Sequence, residues 1–225
     1  QIPDELNSSN VTIMDNMFAN CQQLTTVPDI DTSNVTRMNS MFSTCTALTS
    51  IPLLDTDQVT DMNSMFWLCT HLTTIPSLDT SSATNMGSMF YKCTALSTVP
   101  ELDTSHATDM SGMFYNCSSL PTTFPWTIDC SGITASYYLA NMFAGSSVTE
   151  VRLSNVKSSL KSQITSQLLK GDSTLNIYKK DNFELQLSIK EHSTWIISFT
   201  QLHNDNIISC SGDNTQYVAP NNVSH

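Results

Sequence analysis

Residues 31–54 read DTSNVTRMNSMFSTCTALTSIPLL, and residues 55–78 read DTDQVTDMNSMFWLCTHLTTIPSL. The two stretches share a Met-Phe pair, a cysteine and an Ile-Pro step at the same offsets. Outward from them, Met17-Phe18, Met41-Phe42, Met65-Phe66, Met89-Phe90 and Met113-Phe114 recur every 24 residues, and Met142-Phe143 follows after 29. Cys21, Cys45, Cys69, Cys93 and Cys117 keep the same step, as do Met14, Met38, Met62, Met86 and Met110. Asp31, Asp55, Asp79 and Asp103 repeat too, with Asn7 in the first slot. Self-similarity at such a period marks a stacked architecture, because one unit cannot close a core alone and neighbours must bury it.

Within the second unit, Val35, Met38, Met41, Phe42 and Cys45 are spaced by 3, 3, 1 and 3 residues, one stripe of a short helix. Asp31-Thr32-Ser33 ahead of it suits an N-cap and first turn. Leu48-Thr49-Ser50-Ile51 is β-prone, and Pro52 stops it because proline has no N–H to give a ladder. The expected fold is an α/β solenoid, with a short helix and a short parallel strand in each 24-residue coil. Like residues then form continuous columns through the core. The pattern fades after Cys117: Pro121, Pro125, Trp126 and Cys130 are extra, Leu139 replaces Met and Ser146 replaces Cys. That irregularity suits a terminal repeat.

The motif M-F-x-x-C-x-x-L-T-x-I-P-x-L-D-T-S-x-V-T-x-M resembles the BspA-like leucine-rich-repeat family of bacterial surface proteins, over residues 7–151. The resemblance implies a leucine-rich-repeat-like solenoid in a non-enzymatic, extracellular or cell-surface protein used in adhesion. Its partner would be a host or matrix protein, or a glycan. Similar repeats also suit phage fibres, so a virion component engaged in host recognition is the alternative. Targeting repeats of a larger secreted enzyme are a third.

Charge divides the chain. Its 225 residues hold nine Lys+Arg against 20 Asp+Glu, for a net charge of -11. Residues 1–151 contribute 14 of the acids and only Arg37 and Lys92 as bases. The expected organisation is a solenoid over residues 1–152, a capping helix within 153–171 and a small antiparallel β module over 172–225. Leu160, Ile164 and Leu168 mark one face of that helix, with Gly171 as its stop. Strands are expected at 174–178, 183–189, 194–200 and 206–210, where Phe183, Leu185, Leu187 and Ile189 alternate. This module is also a place where an oligomer could form.

The acidity argues against nucleic acid, which binds basic surfaces by counterion release. No apolar run approaches the roughly 18 residues of a membrane span, so no insertion is expected. The first residue is Gln1 rather than Met, which reads as a processed product or a piece of a longer chain.

Candidate sites follow from the outward positions. Trp67, Tyr91 and Tyr115 share one column, which holds Ala19 and Ser43 in earlier units. The fold does not need an aromatic there, so these rings are the expected binding residues, with Trp126 and Tyr137-Tyr138 extending the patch. The aspartate column could gather Ca²⁺, but N-capping explains it more simply, and no metal or cofactor is assigned. Cysteines stacked in one column point the same way, so buried free thiols are expected. A Cys130–Cys210 bond stays open. No spacing for zinc, nucleophilic catalysis or a phosphate loop occurs, and no catalytic residue is assigned. Sequons lie at Asn7, Asn10, Asn34, Asn116 and Asn222.

Overall fold

The computed structural model describes residues 7–160 and Gln163 in full, together with the backbone of strands over 176–179, 183–190, 194–201 and 207–211. The hydrogen bonds of the repeat alternate in direction. In the second unit, Met38, Ser40, Phe42 and Thr44 donate their amides to the carbonyls of Asp61, Asn63, Met65 and Trp67 at 2.6–2.9 Å. The amides between them, Met41, Ser43 and Cys45, donate three residues back to Met38, Ser40 and Phe42 at 3.0–3.2 Å. Met62, Ser64, Phe66 and Leu68 repeat the lateral set onto Asn85, Gly87, Met89 and Tyr91. Successive units therefore lie one on the next in register.

The short helix expected over Val35 to Cys45 does not form. An α-helix needs consecutive amides bonded four residues back and φ near -60° throughout. Here every second amide goes to the neighbouring unit, and two residues per unit are left-handed. Ser40 and Thr44 have φ of 56° and 62°, and Ser64 and Leu68 have 55° and 60°. The segment is a chain of linked turns whose 3, 3, 1, 3 spacing still puts the same side chains inside. With no helix to cap, each aspartate closes a local turn. Asp31 Oδ1 accepts the amide and hydroxyl of Ser33 at 3.0 and 2.7 Å, and Asp79 holds Ser81 likewise. Nor does Leu48-Thr49-Ser50-Ile51 form a strand. It keeps one lateral backbone bond, Thr49 N–H to Thr25 O, and parallel bridging runs instead through Ile13, Arg37, Asp61, Asn85 and Asp109.

Val35, Met38, Met41, Phe42, Cys45 and Leu48 are at most 1% exposed, and their counterparts in the next units are as deep. Phe18, Phe42, Phe66, Phe90 and Phe114 stack with centroids 5.4–5.6 Å apart and planes within 9° of parallel. Beside them run the methionines, whose flexible thioethers fill gaps along an unbranched column. Buried threonines tie the units laterally. Thr104 Oγ1 donates to Asp129 O at 3.1 Å and accepts the Asp129 amide at 2.7 Å.

The regular step ends at Leu120. Strand β1 (Thr123–Asp129) begins there and pairs in parallel with β2 (Glu150–Ser154), which pairs in parallel with β3 (Asn176–Lys179). In β1, Phe124, Trp126 and Ile128 point inward in strict alternation. Of the segment expected to cap the stack as a helix over 153–171, residues 153–154 belong to β2, residues 155–157 are a non-helical connection and Ser158–Leu160 form a 3-10 turn; residues 161–162 and 164–171 lie outside the described residues. β2 and β3 stand on either side of the boundary placed at residue 172, yet they share one sheet. Strands β4 (Phe183–Lys190), β5 (Thr194–Gln201) and β6 (Ile207–Ser211) make a separate antiparallel sheet in the order β4-β5-β6.

Candidate functional site

The outward columns carry the chemistry that the core does not. Trp67, Tyr91 and Tyr115 follow the buried phenylalanines in sequence, and the left-handed residue after each is Leu68, Lys92 or Asn116. All three rings are half-buried. Trp67 and Tyr91 stack at 5.9 Å with 20° between planes, and Tyr91 and Tyr115 at 4.5 Å and 6°. The Lys92 ammonium lies 5.7 Å from the Tyr91 ring centroid. Burial pushes the Tyr91 phenol above its ordinary pKa, with Tyr115 adding to the rise. The file presents ring edges to solvent, because neighbouring faces cover each other.

Trp126 does not join this file. It is 6% exposed, with its ring 4.6 Å from Phe124 and 6.5 Å from Phe114. The inward alternation of β1 takes it into the core, and its indole N–H has no acceptor among the described residues. The alternation of Phe124, Trp126 and Ile128 was the sequence signal for this. Tyr137 and Tyr138 pair with each other at 4.3 Å. Tyr138 sits in the column of Asp109, since its carbonyl accepts the Met110 amide, so this pair belongs to a different edge of the coil.

Sequence reasoning missed a trough on the aspartate side. It encloses about 580 Å³ and is lined by Asp79, Glu101, Asp103 and Asp129 with Thr104 and Ser154. Its aspartates are already engaged. Asp103 Oδ1 accepts the Ser105 amide at 2.9 Å, while Asp129 holds Ser131 through Oδ1 and Asn155 through Oδ2. Hydrogen bonds from the paired serines lower the Asp31, Asp79 and Asp103 pKa values below their ordinary 3.8. Among the described residues, no group of three or more His, Cys, Asp or Glu is placed to hold a metal ion. A second, apolar pocket of about 180 Å³ lies where the regular step breaks, between Val99, Leu120, Pro121, Phe124 and Pro125.

Cys45, Cys69, Cys93, Cys117 and Cys130 are buried free thiols, and Cys21 is an exposed one. Cys210 lies in β6, whose side chains are outside the description. Of the sequons, Asn7, Asn10 and Asn34 are exposed and Asn116 is half-buried, while Asn222 lies outside the described residues. No helix among the described residues is long and apolar enough to cross a membrane.

A protein made of stacked, internally similar units belongs to a repeat family, and comparison identifies which one. The chain belongs to the family described as Mycoplasma protein of unknown function, DUF285, which matches residues 2–98 and again 48–156. Two overlapping matches along one chain are what an internal repeat produces. No curated protein and no solved structure matches the chain.

Proposed function

We propose that this chain is a leucine-rich-repeat-like solenoid of the BspA-like kind, acting as a non-enzymatic binding module at a cell surface or outside the cell. The observation that carries this reading is an invariant interior beneath a varied exterior. The four units between Val35 and Leu120 bury the same Met, Phe, Cys and Leu positions. The outward column of Trp67 instead holds Ala19, Ser43, Tyr91 and Tyr115, and that of Arg37 holds Ile13, Asp61, Asn85 and Asp109. A scaffold that keeps its core and changes its face suits recognition of an extended partner, either a host or matrix protein or a glycan. Weak contacts at fixed intervals then add through multivalency. Among the described residues β4 and β6 each pair on one side, with β5, which suits oligomer formation through that sheet.

The test is an array of matrix proteins and glycans probed with monomeric and tetramerised chain. At least one ligand is expected to be captured, with a gain of about 100-fold or more on tetramerisation. No capture by the tetramer across the whole array would overturn the reading.

A further inference from the structure

We infer that the described part of the chain carries a ring-stacking site, the free face of the Trp67 indole above Ser43, and that it takes a pyranose ring of a neutral glycan; this rests on the binding reading above. The stacking decides the place. Tyr91 lies between Trp67 at 5.9 Å and Tyr115 at 4.5 Å, so both its faces are covered, as are the inner faces of its neighbours. Two outer faces remain. That of Tyr115 looks toward the next unit, where Asn116 N–H meets the carbonyl of Ala144 and Ala144 is 1% exposed, so the side chain at that level is itself enclosed. That of Trp67 looks toward Ser43, which is half-buried, with half-buried Ala19 one unit further on. Both side chains are short. Rings stacked in successive units of this file lie 4.5–5.9 Å apart, so a ring laid on the indole occupies the level above Ser43.

The surroundings select the ring. A pyranose offers an apolar C–H face to the indole and hydroxyls around its edge. Ser43 Oγ and Thr44 Oγ1 stand 3.5 Å apart at the floor, and exposed Asn20 occupies the position of Thr44 in the unit behind. A proline or an aromatic side chain would leave these groups unmatched. A sulfated or carboxylated sugar would meet the field of 14 acidic residues against two basic ones over residues 1–151.

Calorimetric titration with cellotetraose, chitotetraose, mannotetraose and maltotetraose tests the site. Saturable binding of at least one is expected, weakened tenfold or more by Trp67→Ala and by Ser43→Leu, and unchanged by Tyr137→Ala. Ser43→Leu is the decisive variant, because it covers the indole face and leaves every ring edge in place. Successive units hold Ala, Ser, Trp and Tyr at this position, so it is expected to keep the melting temperature. Unchanged affinity in Ser43→Leu, or no binding of any of the four sugars, overturns the inference. Capture of a matrix protein without sugar binding overturns it while leaving the adhesive reading standing.

Discussion

The Sγ of Cys69 donates a 3.1 Å hydrogen bond to the carbonyl oxygen of Phe42, 27 residues earlier. That oxygen also receives the Cys45 amide from its own unit, so it serves two donors. Cys45, Cys93 and Cys117 repeat the bond onto Phe18, Phe66 and Phe90 at 3.0 Å. A thiol suits the place because it is small, apolar enough to bury and still a weak donor.

Labelling with a thiol reagent should therefore discriminate among the described cysteines. Cys21 is exposed and is expected to react in the native protein, whereas Cys45, Cys69, Cys93, Cys117 and Cys130 should react only on unfolding. Mass spectrometry of peptides after a short pulse reads this directly. Rapid native labelling of Cys69 or Cys93 would contradict the packing.

Alkaline pH should destabilise the fold through the same groups. Burial pushes the Cys45 thiol up to about 11 and those of Cys117 and Cys130 up to about 12, from an ordinary 9.0. An acid whose folded pKa lies above its unfolded one stabilises fully below the unfolded value and loses that contribution as pH climbs toward the folded one. Unfolding free energies from urea melts are thus expected to hold to about pH 9 and then fall, by up to about 1.4 kcal/mol per pH unit for each thiol. A flat profile from pH 8 to 11 would count against buried neutral thiols.

On the acid side the sign reverses. Ser33, Ser81 and Ser105 hold the Asp31, Asp79 and Asp103 carboxyls below 3.8. Their contribution is present above that value and disappears as pH falls through the folded pKa values. Replacing all three serines by alanine should flatten the loss of stability between pH 4 and pH 2, measured by urea melts at each pH. An unchanged slope would show that other carboxylates dominate.

Core and surface aromatics should separate cleanly. Phe66 is fully buried between Phe42 and Phe90, and Phe66→Ala is expected to cost about 3–5 kcal/mol. Trp67→Ala, one residue on but half-buried, should cost about 1 kcal/mol. Equal losses would mean that the outer file is structural.

Backbone handedness offers a further handle. Leu68 sits at φ 60°, where a branched side chain is disfavoured and asparagine is tolerated. Leu68→Asn is expected to stabilise by about 0.5–1 kcal/mol. Gly145→Ala should do the opposite, since φ is 70° and the new methyl would run into the Asn116 carboxamide. Differential scanning calorimetry of both variants settles the signs.

These left-handed positions also explain where sequence reading succeeded and stopped. The 24-residue step named the buried columns, because identical environments demand identical side chains. It could not tell a helix from linked turns, since the spacing from Val35 to Cys45 satisfies both. The difference lies in the sign of φ at Ser40, Thr44, Leu68 and Lys92, none of which advertises a left-handed backbone. Asn16, Asn20, Gly112 and Asn116 do, but they are scattered among neighbours that do not. For the candidate site, the column of Trp67, Tyr91 and Tyr115 was legible from register alone. That their faces close on each other, and that Trp126 turns inward, depends on ring planes and on the strand that begins after Leu120.

The alternating amides make each unit present the same donors to one neighbour and the same acceptors to the other. Any two regular units are therefore interchangeable at their junctions. Recombination that excises or copies 24 residues restores the backbone lateral bonds and slides the outer motif to a new height. Reach becomes a quantity that replication slippage can tune, with no fresh solution to folding required.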